Sequence, residues 1–241
     1  MRAVERGASP QATDFENYRD AFGELASRLG FYCSYCERRI ATQLAVEHIQ
    51  PKALPAYAHL VGRWENFLLG CVNCNSTKGD KDVVLADVLL PDRDNTSAAY
   101  RYTADGRIEV VDSLTTEQQA MALATLALTG LDKPISQAFD SAGQLVAIDR
   151  VAQRMEAWLI AESSREDLQM VPHDAFRRQL VRTALALGFF CIWMTVFGDD
   201  TAQRTLFIDG FPGTAAECFD DATTEPVTPR PSNGLADGSK V

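Results

Sequence analysis

The 241-residue chain is short of several things, and each shortage excludes a class of protein. It opens without an apolar signal-like run, because residues 1–20 are polar and charged, so a secreted reading is set aside. Its most apolar stretch, Thr183–Phe197, is shorter than the roughly 20 residues that span a bilayer, and it reads as a buried helix. A cytoplasmic protein with no membrane partner is expected, with its thiols reduced. There are no internal repeats, no helix with the paired Arg or Asn side chains that read base edges, and no basic stripe interleaved with aromatics for stacking single strands. Positive charge is scarce too: the formal net charge is −10. Histidine occurs three times. Isolated histidines are usually surface or core residues, and His59 and His173 are read so.

Charge and chemistry are concentrated in one place. Residues 28–81 hold seven basic and four acidic side chains, a local excess of +3 that leaves −13 on the rest. Binding to phosphates follows the local field, so this stretch is the one suited to nucleic acid. It also holds four of the six cysteines, as Cys33-Ser34-Tyr35-Cys36 and Cys71-Val72-Asn73-Cys74. Two intervening residues let both thiolates of a pair turn toward one ion. Two such knuckles give the four-cysteine tetrahedron of a structural Zn2+ site with no open position. Cys191 and Cys218 read as small buried hydrophobes.

Between and after the knuckles lie Val46-Glu47-His48-Ile49-Gln50-Pro51-Lys52, then Trp64-Glu65-Asn66, then Asn75-Ser76-Thr77-Lys78. A neutral imidazole can take a proton from water at physiological pH. Glu and Asn side chains offer oxygens to a hard cation. Lys52 and Lys78 are candidate phosphate contacts. Taken singly, Asn66 reads as a turn or cap residue and the lysines as solvated charges.

In this order, around two knuckles, these residues resemble the HNH family of ββα-metal nucleases over roughly residues 30–82. The resemblance implies catalytic roles for His48 (general base) and Asn66 (holding the His-bearing loop), with Glu47 and Asn75 as ligands of a catalytic Mg2+ or Mn2+. Glu47 stands where Asp is commoner, and Asn75 where a final His often stands. A narrower similarity is to the PtuB-type HNH subunits of Septu and certain retron antiphage systems. It is carried by Met1-Arg2-Ala3-Val4-Glu5-Arg6-Gly7, Tyr35-Cys36-Glu37, Glu47-His48-Ile49, Pro51-Lys52 and Trp64-x-Asn66. It implies an ABC/RecF-like (PtuA-type) ATPase partner. DNA is the expected substrate. A non-catalytic zinc module that binds DNA or protein, and an HNH site acting on RNA, are the rival readings.

The expected architecture is α+β: a zinc-stapled ββα-metal module, a β-hairpin, then a mostly helical C-terminal region. Segments are expected at 1–30 (helical), 31–82 (nuclease module), 83–114 (linker and hairpin), 115–220 (helical, a possible docking region) and 221–241 (a disordered tail rich in Pro, Thr, Ser and Gly). Asp105-Gly106 marks the hairpin turn. Thr115/Thr116 followed by Glu117 and Gln118 cap a helix that Gly130 stops. Further helices are expected over Asp149–Met170 and Pro172–Phe197.

Overall fold

The computed structural model describes residues 1–134 and 149–241; residues 135–148 of the expected helical region lie outside the described residues. Helices and two small antiparallel sheets make up the architecture. After a 3-10 turn at Tyr18–Ala21, α1 (Phe22–Leu29) buries Leu25, Ala26 and Leu29 and is stopped by Gly30 at φ 74°. Strands β1 (Leu44–His48) and β2 (Phe67–Cys71) pair antiparallel, with Glu47 opposite Leu68 and His48 opposite Phe67. Helix α2 (Val72–Lys78) leaves β2 directly. A helical turn α3 (Thr96–Ala99) leads into the hairpin of β3 (Tyr100–Tyr102) and β4 (Ile108–Val110). Helix α4 (Thr116–Thr129) begins with a reciprocal cap: Gln118 N–H donates to Thr115 Oγ1 at 3.2 Å, and Thr115 N–H to Gln118 Oε1 at 2.9 Å.

The remaining helices are α5 (Arg150–Met170), α6 (Asp174–Leu187), α7 (Phe190–Val196) and α8 (Thr201–Gly210). Three expectations are corrected here. The single helix over Pro172–Phe197 is two helices, broken at Gly188 (φ 82°) and Phe189 (φ 58°). A Cβ on Gly188 would lie 2.4 Å from the Glu37 carbonyl oxygen, so the break lets the first knuckle's chain run against this corner. Residues 1–30 are helical only from Tyr18; Met1–Val4 and Arg6 are buried, and Val4 bridges Thr214.

The segment 221–241 is packed rather than disordered. Arg230 is buried, donates to the Val4 and Pro91 carbonyls, and pairs with Glu5 and Glu217. Asn95 Nδ2 donates to the Val227 carbonyl at 2.7 Å. One buried guanidinium that satisfies backbone carbonyls orders a stretch whose composition alone predicts disorder. Among the described residues, no helix is long and apolar enough to cross a membrane.

Candidate active site and metal centre

The two knuckles meet. The sulfurs of Cys33, Cys36, Cys71 and Cys74 are buried and lie within 4.8 Å of one another. Cys36 and Cys71 Sγ are 3.7 Å apart, close to the roughly 3.8 Å edge of a tetrahedron with Zn–S bonds of about 2.3 Å. The donor set and its spacing therefore fit Zn2+ with all four positions filled. The first knuckle is anchored to the sheet, with Ser34 N–H donating to the Leu69 carbonyl and Leu69 N–H donating to Ser34 Oγ. Hydrogen bonding with Cys33 holds Cys36 and Cys71 low. Burial pushes the Cys33 thiol up, and contacts with Cys33 and Cys36 push Cys74 up.

Two arginines face these sulfurs. Arg150 Nη1, on the first turn of α5, lies 3.1 Å from Cys74 Sγ, and the same side chain donates to the Thr129 and Gly130 carbonyls at the end of α4. Arg38 Nη2 lies 3.5 Å from Cys71 Sγ while its Nη1 donates to Gln153 on α5. A four-thiolate zinc site carries net negative charge, and these guanidiniums answer it from the helical side. Cys191 and Cys218 stand apart from the cluster, buried, their thiols pushed up to about 12 by burial.

His48 ends β1 beside a cavity of about 300 Å3 whose lining includes Tyr18, Lys52, Asn75 and Lys78. Its Nε2 lies 2.9 Å from the Val61 carbonyl, which can only accept, so Nε2 carries the proton and Nδ1 is the basic nitrogen. The ring is gripped edge-on by Tyr18 (4.7 Å between centroids) and Phe67 (5.2 Å). Burial lowers its pKa, and nearby Lys52 and Lys78 lower it further, against the Val61 hydrogen bond and Glu47, so the ring is neutral at physiological pH.

Asn66 clamps the turn that follows. Its Oδ1 accepts from Gln50 N–H at 2.8 Å, and its Nδ2 donates to the Gln50 carbonyl at 3.0 Å. Asn75 is half-buried on the cavity wall. Lys52 is exposed, its ammonium 3.9 Å from the centre of the Tyr18 ring.

Two expected assignments do not survive the geometry. Lys78 is not a free phosphate contact: it is 2 % exposed, with its ammonium 2.8 Å from Glu47 Oε1 and donating to the His48 carbonyl at 2.7 Å. Glu47 is fully buried, and its other oxygen accepts from the Tyr35 hydroxyl at 2.6 Å. A catalytic divalent ion on Glu47 and Asn75 would have to displace this ammonium from Oε1, a buried oxygen that accepts no hydrogen bond. The reason is reach: Lys78, one turn beyond Asn75 on α2, extends back to the strand end. His59 is exposed, and His173 caps α6 by accepting from Ala175 N–H.

Sequence reasoning missed Tyr18, Tyr35 and Arg150. Tyr35 sits inside the first knuckle and in one of the stretches of the narrower similarity, but no role was assigned to it; its signal was that a buried aromatic hydroxyl needs a partner. Tyr18 and Arg150 come from outside the knuckled stretch and carried none.

A strand pair feeding a short helix, with four clustered cysteines beside it and a histidine at a strand end, makes up this module. Residues 33–81 match the family of HNH endonucleases and form an HNH endonuclease domain. No curated protein matches the chain.

Proposed function

We propose that the chain is an endonuclease that hydrolyses phosphodiester bonds of DNA, with His48 as general base. The observation that carries this reading is the state of His48: neutral, with its tautomer fixed through Val61, and beside a cavity bordered by Lys52 and Asn75. In the proposed step, a water oxygen forms the new bond to phosphorus, its proton passes to Nδ1, and the phosphorus–oxygen bond to the leaving sugar oxygen breaks. Asn66 keeps the His48 loop in register, and exposed Lys52 contacts phosphate. HNH nucleases use divalent metals, so Mg2+ or Mn2+ is supplied in the test.

The reading extends to an antiphage complex in the cytoplasm, partnered by an ABC/RecF-like ATPase that docks on the helical region. The short motifs shared with Septu-type HNH subunits support it. Two of those motifs pack together, since Glu37 accepts from the Tyr102 hydroxyl and the Cys191 N–H and pairs with the Met1 amine.

Purified protein is incubated with supercoiled plasmid and Mg2+ or Mn2+, with EDTA controls and the His48→Ala variant. Metal-dependent nicking that His48→Ala lowers by at least 100-fold is the expected result. Equal nicking by both proteins rejects His48 as the base. Binding without cleavage, with or without the ATPase, favours a non-catalytic zinc module. Cleavage of RNA alone replaces the substrate.

A further inference from the structure

The oddest feature of the candidate site is a lysine where a metal is expected. Glu47 and Lys78 are 0 % and 2 % exposed and face each other as an ion pair, although the paired oxygen, Glu47 Oε1, accepts no hydrogen bond. One carboxylate oxygen meets the ammonium at 2.8 Å, and the other meets Tyr35 Oη at 2.6 Å. The ammonium also holds the carbonyl of His48 itself. Gly70 makes the room: a Cβ there would lie 2.9 Å from both Cβ and Cγ of Glu47. An ion seated on this carboxylate would leave a buried ammonium with no counter-charge, which is among the costliest changes a protein interior can undergo. Mg2+ also sheds its waters reluctantly.

We infer that Glu47 is the counter-ion of Lys78 rather than a ligand of the catalytic metal, and that Tyr35, Glu47 and Lys78 form a positioning unit. The unit fixes the end of β1, which carries His48, against α2, which carries Asn75. Its positioning purpose rests on the nuclease reading; the ion pair itself rests on the geometry alone. The two lysines of the cavity then divide their roles, with Lys52 facing solvent and Lys78 holding the backbone.

The test uses full-length, zinc-loaded protein carrying Lys78→Met, Glu47→Gln, both together, and Tyr35→Phe. Thermal midpoint and Mn2+ binding by electron paramagnetic resonance are measured apart from nicking. Each single charge removal should lower the midpoint, and the double variant should recover a large part of the loss, because neither charge is left orphaned. Mn2+ affinity should stay within twofold of wild type throughout. Tyr35→Phe should fold and lower the nicking kcat several-fold at unchanged KM.

A tenfold gain in Mn2+ affinity in Lys78→Met, or its loss in a folded Glu47→Gln or double variant, overturns the inference. So does a double variant no more stable than the worse single. If the single variants fail to fold, the double variant and Tyr35→Phe decide by the same criteria. If wild type nicks nothing while the midpoints couple as expected, the nuclease reading fails and the ion pair stands.

Discussion

Residues 31–82 and residues 150–211 are stabilised in different ways. The first stretch has a two-stranded sheet and a seven-residue helix, and a pair of strands is marginal alone in water. What it buries is polar to an unusual degree: four cysteines around a metal position, the Glu47–Lys78 pair and the Asn66 clamp. The second stretch buries aromatic mass. Trp193, Phe197 and Phe207 pack with ring centres 5.4–6.2 Å apart, and Phe190 packs on Phe211 at 5.3 Å. A region built for chemistry must keep polar groups in fixed geometry, which a hydrophobic core cannot do by itself. Directional bonds, and any ion the four cysteines hold, stand in for apolar area there, and the apolar region supplies the mass against which they are braced.

The largest expected effect comes from removing the metal. Structural zinc contributes apparent binding energies of about 10–16 kcal/mol in zinc-finger peptides. Cys74→Ser, or a strong chelator at elevated temperature, should release one zinc per chain and open residues 31–82 to trypsin at Arg38 and Arg39, while α6–α8 stay protected. Helix α5 should loosen with the knuckles, since Arg150 loses its Cys74 partner and Arg38 its Cys71 partner. A Cys74→Ser protein that keeps one zinc and its protease resistance would remove the knuckles from this account.

The opposite perturbation sharpens the contrast. Phe207 is fully buried beneath Trp193 and Phe197. Phe207→Ala should cost about 3–5 kcal/mol in urea unfolding and leave the zinc content at one per chain. Zinc lost in step with that destabilisation would mean that the two regions unfold as a single cooperative unit.

This division also sets how much could be read from residues alone. The knuckles were legible because the spacing of Cys33, Cys36, Cys71 and Cys74 states the chemistry locally. The α4 cap was legible because Thr115 and Gln118 are three residues apart. Asn66 was singled out by motif order, and its side chain bonds the Gln50 backbone. Contacts across long separations were hidden: Arg230 on the Val4 carbonyl, Arg150 on Cys74, and Gly188 against Glu37. Lys78 was misread for a related reason. On a helix end, a lysine looks solvated unless the carboxylate 31 positions earlier is known to lie beneath it. Sequence exposes what the chain repeats or spaces, and conceals what only packing brings together.

The smallest expected effect concerns pH, and it bears on the chemical region alone. Burial sets the His48 pKa below its ordinary value of about 6.5. The unfolded chain therefore binds a proton at His48 before the folded chain does. By linkage, this group's contribution to stability is fully present above its unfolded pKa and is lost as pH falls through the folded pKa. The rate should follow the same group, since only neutral imidazole accepts the proton. The acid limb of plasmid nicking should have its midpoint below about 6.5, with a flat rate from there through neutral pH. Tyr18→Ala removes one of the two rings packed on the imidazole and admits water, so it should move that midpoint upward toward the ordinary value. Phe207→Ala, which disturbs only the aromatic core, should leave it in place. A midpoint above 6.5 in the wild-type protein, or one that Tyr18→Ala does not move, would mean that the titrating base is not the buried imidazole of His48.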